Sequence, residues 1–397
     1  MSTTSRRQLL RGAPAALAVT FLVTKTSVRT VEGQEFSADG LSGCQLMPSA
    51  QFSVGIDNKG LWPNLTKLSS GEIAAAVYNH PSHGYGSNSD VELWTSNDGG
   101  RNWGYRSHVS DHPESPNGIR MNHAVGLNAK GELIALVSGY HEGQKLPNLP
   151  LQCCISDDHG RSWRREHLDI DMVPHGDIFQ LPNGRLGCSM YTVVRSTTPR
   201  RRRAAIFLSD DGGRSWGDPR PVGDADIGET HVLRQGNGNL LAVGRTSCQD
   251  RMDGALPHGA GEIFLKSSDE GMTWSQPKLL SPQGQENAHL LELSDGRLLC
   301  SITSRIPGLF GVIQRLSSDD GVTWSRPVVL LSSPARDWHK TDCGYPSSVQ
   351  LDDGTIVTAY YFGPKKPEWS AHTLPWHQRY HMGIARWDLT NWPEAGA

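Results

Sequence analysis

Apolar and polar positions alternate along the chain in a unit that returns six times: an apolar strand, a polar turn containing Gly, and a second apolar strand. It reads "NLTKLSSGEIAAAVY" from Asn64, "AVGLNAKGELIALVS" from Ala124, "DIFQLPNGRLGCSMY" from Asp177 and "HVLRQGNGNLLAVGR" from His231. It returns as "HLLELSDGRLLCSIT" from His289 and "SVQLDDGTIVTAYY" from Ser348. With the last unit counted from Ser347, the starts fall 60, 53, 54, 58 and 58 residues apart. Each unit predicts a β-hairpin closed by its Gly. No stretch carries a long helical period, so the chain is expected to be almost all β.

A second signature, Ser-x-Asp-x-Gly-x-x-Trp, runs out of phase with the first. It occurs five times, starting at Ser96, Ser156, Ser209, Ser267 and Ser317. Its Asp can accept hydrogen bonds from the backbone N–H groups that follow, and its Gly supplies a positive φ. Its Trp then returns to pack on the sheet. These are structural requirements. Six hairpins against five such turns predict six repeating units, the last lacking its turn, closed as a six-bladed β-propeller. The terminal "YHMGIARWDL" from Tyr380 reads as a closing strand beside N-terminal residues.

Composition fits this picture. The 397 residues include 43 Gly and 24 Pro with 20% charged residues, as expected for short strands and tight turns. A net charge of −3 gives no electrostatic case for a nucleic-acid partner. The one basic run, "PRRRR" from Pro199 to Arg203, reads as a loop between strands, either solvated or anion-binding. At the N-terminus, "SRRQLL" followed by "GAPAALAVTFLV" resembles a twin-arginine export signal. Residues 1–30 are therefore assigned to export and 31–397 to the propeller. The protein is expected to be periplasmic or extracellular, with membrane contact only if the signal is kept as an anchor. Seven scattered cysteines allow one or two disulfides. No cofactor and no metal are expected, since no zinc-type His or Cys spacing occurs.

The residues that open the hairpins are polar. They include His80 and His83 after the first hairpin, then Arg120, Asn122 and His123, then His175 and Asp177. Glu229 and His231, Glu286, Asn287 and His289, and Asp342 and Tyr345 follow in the later units. In a propeller these positions converge on an axial channel, which makes them a candidate pocket.

Five Asp turns in six hairpin units resemble the sialidase superfamily from about residue 50 to 390. The resemblance implies a Tyr nucleophile nine residues before the last hairpin Gly, which falls on Tyr345. The Glu that activates it stands nine before a middle Gly, which is Glu229, and an Arg seven after that Gly is Arg245. A neutral phenol polarised by Glu can approach an anomeric carbon that bears a carboxylate. Arg245 would grip that carboxylate, with Arg305 or Arg315 as a further candidate. Asp177, His175, His231, His289 and Tyr361 are added as substrate-binding candidates.

The departures from the family pattern are specific. Its first-unit Arg falls on Leu61 and the Glu that would support that Arg on Tyr361. Its first-unit Glu and Arg fall on Tyr78 and His80, and no Asp occupies the acid/base position. His80, His83 or His123 is expected to supply the acid/base, with Asp177 and Asp90 as carboxylate alternatives. The implied activity is an exo-acting glycoside hydrolase that releases terminal acidic sugars, sialic acid first among them, from a glycan or glycoconjugate. The alternatives are a His/Tyr polysaccharide lyase acting on uronic acids and a non-catalytic glycan-binding propeller. Trp62, Trp338, Trp369 and Trp376 are candidates for a sugar-stacking rim.

Overall fold

The computed structural model describes residues 28–29, 35–36, 45–47 and 49–392, apart from 83–88, 113–117, 142–143, 195–200, 225, 247–260, 282–283, 334–339, 366–378 and 391. His83, Trp338, Trp369, Trp376 and nearly all of the 1–30 segment lie outside the described residues. Among the described residues every regular element is a strand.

The strands pair in chain order as four-stranded meanders. The first comprises Leu61–Lys67, Ile73–Tyr78, Val91–Ser96 and Gly104–His108. The second comprises Gly118–Leu127, Leu133–His141, Gln144–Ser156 and Arg164–Leu168. The third comprises Val173–Gln180, Leu186–Val194, Arg201–Ser209 and Gly217–Pro221. Parallel pairing of Gly176 with Ala124 and of Ile178 with Gly126 joins the second and third meanders into one eight-stranded sheet. Ile227–Arg234, Leu240–Thr246, Glu262–Ser267 and Lys278–Leu279 form the fourth. Gln285–Glu292, Leu298–Ile306, Leu309–Ser317 and Val328–Ser333 form the fifth, with Gln45–Leu46 added along its edge.

The last sheet is built from both ends of the chain. Thr341–Gln350, Ile356–Pro364 and His381–Trp387 take Gln51–Asp57 as their outer strand. The pairing is antiparallel, with Met382 opposite Ile56 and Ala385 opposite Phe52. The closing strand from Tyr380 thus sits beside N-terminal residues, as the sequence suggests. First strands neighbour one another in chain order, and Thr341–Gln350 packs back on Leu61–Lys67. The result is a propeller-like arrangement of sheets around an axis.

Local chemistry accounts for the turns. Each hairpin Gly has a positive φ; at Gly354 it is +85°, and an added Cβ would meet nothing, so backbone conformation alone selects Gly there. In the Asp turn from Ser209, Asp211 Oδ1 accepts the N–H groups of Arg214 and Ser215, each at 2.9 Å, and Ser209 Oγ accepts that of Gly213 at 2.9 Å. Trp216 then packs into the core between the second and third meanders. Trp103, Trp163, Trp274 and Trp324 pack in the same way against four other cores. Between the fifth and last sheets, where no Asp turn exists, Trp387 takes this place. Each ring withdrawn from water contributes on the order of 2 kcal/mol.

One expectation needs correction. Arg201–Arg203 are not in a loop: they open the strand Arg201–Ser209 and pair with Val194, Val193 and Thr192. The five described cysteines, Cys153, Cys154, Cys188, Cys300 and Cys343, are buried free thiols, and Cys44 and Cys248 lie outside the described residues. Burial pushes the Cys153 and Cys343 thiols up to about 12, which keeps them unreactive.

Candidate active site

Every first strand is interrupted near its start. Register shifts fall between Leu61 and Asn64, His175 and Ile178, Ile227 and Thr230, Glu286 and His289, and Gly344 and Ser347. In the second meander, Arg120 and His123 lie opposite Gly139 and Val137, the same kind of shift. A bulge bends a strand and re-aims side chains. Trp62, Asn287 and Tyr345 sit at these bulges with φ of 51°, 54° and 49°. Such left-handed non-Gly residues cost about 1–3 kcal/mol each, a strain that concentrates at functional sites. The bulges gather Trp62, Asn122, His175, His231, Asn287 and Tyr345 from six first strands around one axial pocket.

Tyr345 lines this pocket and Glu229 stands behind it. The Tyr345 hydroxyl donates to Glu229 Oε1 at 2.8 Å. Glu229 Oε2 accepts from Arg245 Nη1 and from Asn287 Nδ2, each at 2.6 Å. Burial pushes the Glu229 carboxyl up, but Arg245 and Arg202 outweigh it and hold the group well below the usual carboxylate range. Burial and the Glu229 charge push the Tyr345 phenol well above its ordinary value. The pair is therefore a neutral phenol donating to an ionised carboxylate.

Behind it, opposite charges alternate into the interior. Arg245 Nε lies 2.9 Å from Glu286 Oε2, and Glu286 Oε1 lies 2.5 Å from Arg305 Nη1. Arg305 Nη2 donates to Asp342 Oδ1 and Cys343 O, each at 3.1 Å. The Tyr361 and Tyr380 hydroxyls donate to Asp342 Oδ1 and Oδ2, each at 3.0 Å. Buried charges persist when partnered in this way. Glu262, opposite Arg245 in the ladder, is fully buried, and burial with the Glu286 charge pushes its carboxyl well above the usual range.

The pocket floor is polar. Asp177 Oδ2 lies 3.1 Å from His231 Nε2 and 3.3 Å from His289 Nε2, while Asn64 donates to Asp177 Oδ1 at 2.9 Å. These three groups have the composition of a metal site. However, Leu290 N–H donates to His231 Nδ1 at 3.2 Å, so the proton of the neutral ring sits on Nε2 and faces Asp177. That geometry fits a hydrogen-bonded floor rather than an ion, which would have to displace this proton.

Several expected roles do not survive this geometry. Arg305 is 6% exposed and Tyr361 fully buried, and both are engaged with Asp342, behind the residues that line the pocket. His123 borders the pocket, but its Nδ1 and Nε2 face Met121 O at 2.9 Å and Ala76 O at 3.2 Å. His80 stacks on Tyr78 with ring centroids 5.9 Å apart, and its Nδ1 is engaged with Ser82, outside the pocket lining. Asp90 is paired with His112 at 3.0 Å. His175 meets Tyr345 edge-on with centroids 6.0 Å apart and is held neutral by burial, its pKa lowered to about 4.

Leu61 and Tyr361, at the family's Arg and supporting-Glu positions, share one apolar cluster with Trp62, Tyr78 and Tyr380. Where the resemblance would place an ion pair, aliphatic and aromatic side chains pack instead. The sequence placed Glu286 and Asn287 in the candidate pocket but gave neither an individual role.

A family model described as a BNR repeat-like domain matches residues 74–358. A sialidase of Micromonospora viridifaciens is 29% identical over 222 residues, covering 51% of this chain and 32% of that protein. The chain thus spans about a third of that relative's length. Among solved structures, an unknown function protein from Dyadobacter fermentans superposes with a TM-score of 0.69 at 21% identity, covering 86% of this chain and 99% of that one. The Hadza microbial sialidase Hz136 superposes with a TM-score of 0.63 at 18% identity, covering 83% of this chain and 66% of that one. At these identities the superpositions speak for the fold.

Proposed function

The chain belongs to the BNR repeat-like family, and on that footing we propose that it is an exported, exo-acting glycoside hydrolase of the sialidase kind. We count its blades as six, taking the eight-stranded sheet as two blades joined through their first strands. The substrate class is a glycan ending in an acidic sugar, with sialic acid the first candidate. Export rests on the paired arginines and apolar run of the first 30 residues.

One observation carries the reading: the 2.8 Å hydrogen bond from the Tyr345 phenol to Glu229 in a strained, pocket-facing bulge. The phenolic oxygen attacks the anomeric carbon as its proton passes to Glu229, the sugar–oxygen bond to the leaving group breaks and the departing oxygen takes a proton from solvent. Water then attacks the same carbon, the Tyr345–sugar bond breaks, and the phenol recovers its proton from Glu229 while water's proton goes to solvent. Arg245 and Asn287 hold Glu229 in place for that transfer.

A lyase reading has one observation in its favour. His175, neutral at pH 7, meets Tyr345 edge-on, and an imidazole with a phenol suits proton removal and return beside a uronate carboxylate. A glycan panel scored for free monosaccharide and for ultraviolet-absorbing unsaturated product separates the two. Free acidic sugar supports hydrolysis, and unsaturated product replaces it with elimination.

A further inference from the structure

The first strands supply the axial site in two tiers. Glu229, Asn287 and Tyr345 each stand nine residues before their hairpin Gly. Asn64, Asp177, His231 and His289 stand seven before theirs, two residues further along. Contacts stay within each tier. Tyr345 and Asn287 both donate to Glu229, whereas Asn64, His231 and His289 all converge on Asp177. The second tier therefore lies one strand step, roughly 7 Å, below the first.

Asn64 lines the pocket and is 6% exposed. Its Nδ2 donates to Gly176 O and to Asp177 Oδ1, each at 2.9 Å. Both acceptors belong to the third meander, so this side chain of the first meander reaches across the axis. The backbone beside it is held by Leu65 N–H, which donates to Ser347 Oγ at 2.9 Å. Those bonds fix the amide's orientation, because turning it over would set Oδ1 against a carbonyl and a carboxylate. Oδ1 is left as a buried acceptor that no donor reaches among the described residues. Asp177 has no proton to offer it, and the His231 proton already faces Asp177. A buried acceptor without a donor is costly, and a donor carried in by a ligand removes that cost.

We propose that Asn64 is a specificity-determining residue of the pocket: its Oδ1 accepts a hydrogen bond from a hydroxyl on the edge of a terminal sugar ring far from the anomeric carbon. The inference rests on the sugar-processing reading of this pocket. With the anomeric carbon at the Tyr345–Glu229 tier, the far edge of one pyranose ring reaches the Asn64 tier. That edge carries the 4-hydroxyl in sialic acid and in uronic acids alike. The sugar's acid group does not fit there, because Asn64 Oδ1 and the Asp177 carboxylate present it with acceptors. A site built to hold a hydroxyl rejects the analogue that lacks it, since the buried acceptor then stays unpaired.

The test uses the full chain and four ligands: N-acetylneuraminic acid, glucuronic acid and the 4-deoxy analogue of each. Affinities come from calorimetry, and thermal melts check folding. The wild type should bind at least one acid roughly tenfold more tightly than its 4-deoxy analogue, the worth of one hydrogen bond between neutral groups. In Asn64→Leu that gap should fall to about twofold or less, as a double-mutant cycle requires of interacting partners. If the Leu variant melts early for want of a donor to Asp177, Asn64→Ser decides the matter, since it keeps a hydroxyl donor but withdraws the acceptor from the axis. A gap as wide in a folded Asn64 variant as in the wild type overturns the assignment. Equal wild-type affinity for an acid and its 4-deoxy analogue overturns it too, and leaves an ordered water as the donor to Oδ1. If neither acid binds, the acidic-sugar reading falls and the assignment falls with it. A gap that depends on Asn64, without cleavage of any acidic glycan, removes the hydrolase reading and leaves the role of Asn64 standing.

Discussion

The Tyr345 hydroxyl and the Glu229 carboxylate are joined by a 2.8 Å hydrogen bond across 116 residues of chain. Their protonation states are held far apart, the phenol pushed up and the carboxyl down. Tyr345→Phe removes the attacking oxygen and Glu229→Gln removes the proton acceptor. Each should lower turnover of an acidic glycoside by roughly 10²–10⁴ while the melting temperature stays near that of the wild type. Steady-state kinetics beside thermal melts check both halves.

Arg305 tests the separation between pocket and interior. Its guanidinium bridges Glu286 and Asp342 out of solvent. Arg305→Met should cost about 3–5 kcal/mol of stability by leaving two buried carboxylates unpartnered. Chemical denaturation gives the loss directly. A change confined to KM, with stability intact, would return Arg305 to the substrate.

The Asp turns make stability depend on acid. Burial raises the Asp158 carboxyl, but hydrogen bonds from Ser162, Ser156 and Arg161 together outweigh it and lower its pKa to about 2. A carboxyl lowered on folding contributes stability that is present above its unfolded pKa of about 3.9 and lost as pH falls through the folded value. Asp158→Asn should therefore melt below the wild type at pH 7, with the gap closing between pH 4 and pH 2. A gap that stays constant with pH would mean the charge has no part in it.

Two glycines separate backbone strain from close packing. Gly354→Ala forces a Cβ onto a φ of +85° in open space and should cost about 1–2 kcal/mol. Gly126→Ala would put a Cβ 2.1 Å from Ile178 O where the second and third meanders pair in parallel. It should abolish folding or split that sheet. Equal melting temperatures for the two variants would contradict the packing described.

Much of this was legible in the sequence because it is local or periodic. The hairpin Gly, the Asp turn and its Trp are short-range devices whose backbone geometry admits few residues, so pattern alone finds them. Tyr345, Glu229 and Arg245 stand at fixed distances from hairpin glycines, and counting from those glycines located a triad that the fold does bring together. Arg305 looked like Arg245 by residue type, but its depth depends on Glu286 and Asp342 from neighbouring strands, which no one-dimensional spacing reports. His123 failed for a similar reason, since the carbonyl of Ala76 that one ring nitrogen faces comes from another sheet. The run Arg201–Arg203 reads as a loop because its charge hides the strand pairing with Val194, Val193 and Thr192 that only the fold supplies.

The most direct measurement of the central claim is the mass of the protein after incubation with a sialosyl fluoride bearing a second fluorine beside the anomeric carbon, which slows release of a glycosyl–enzyme. The account predicts one added sugar, mapped by peptide sequencing to Tyr345 and absent in Tyr345→Phe. Hydrolysis of sialosides that proceeds at the wild-type rate in Tyr345→Phe, or an adduct on another residue, would contradict it.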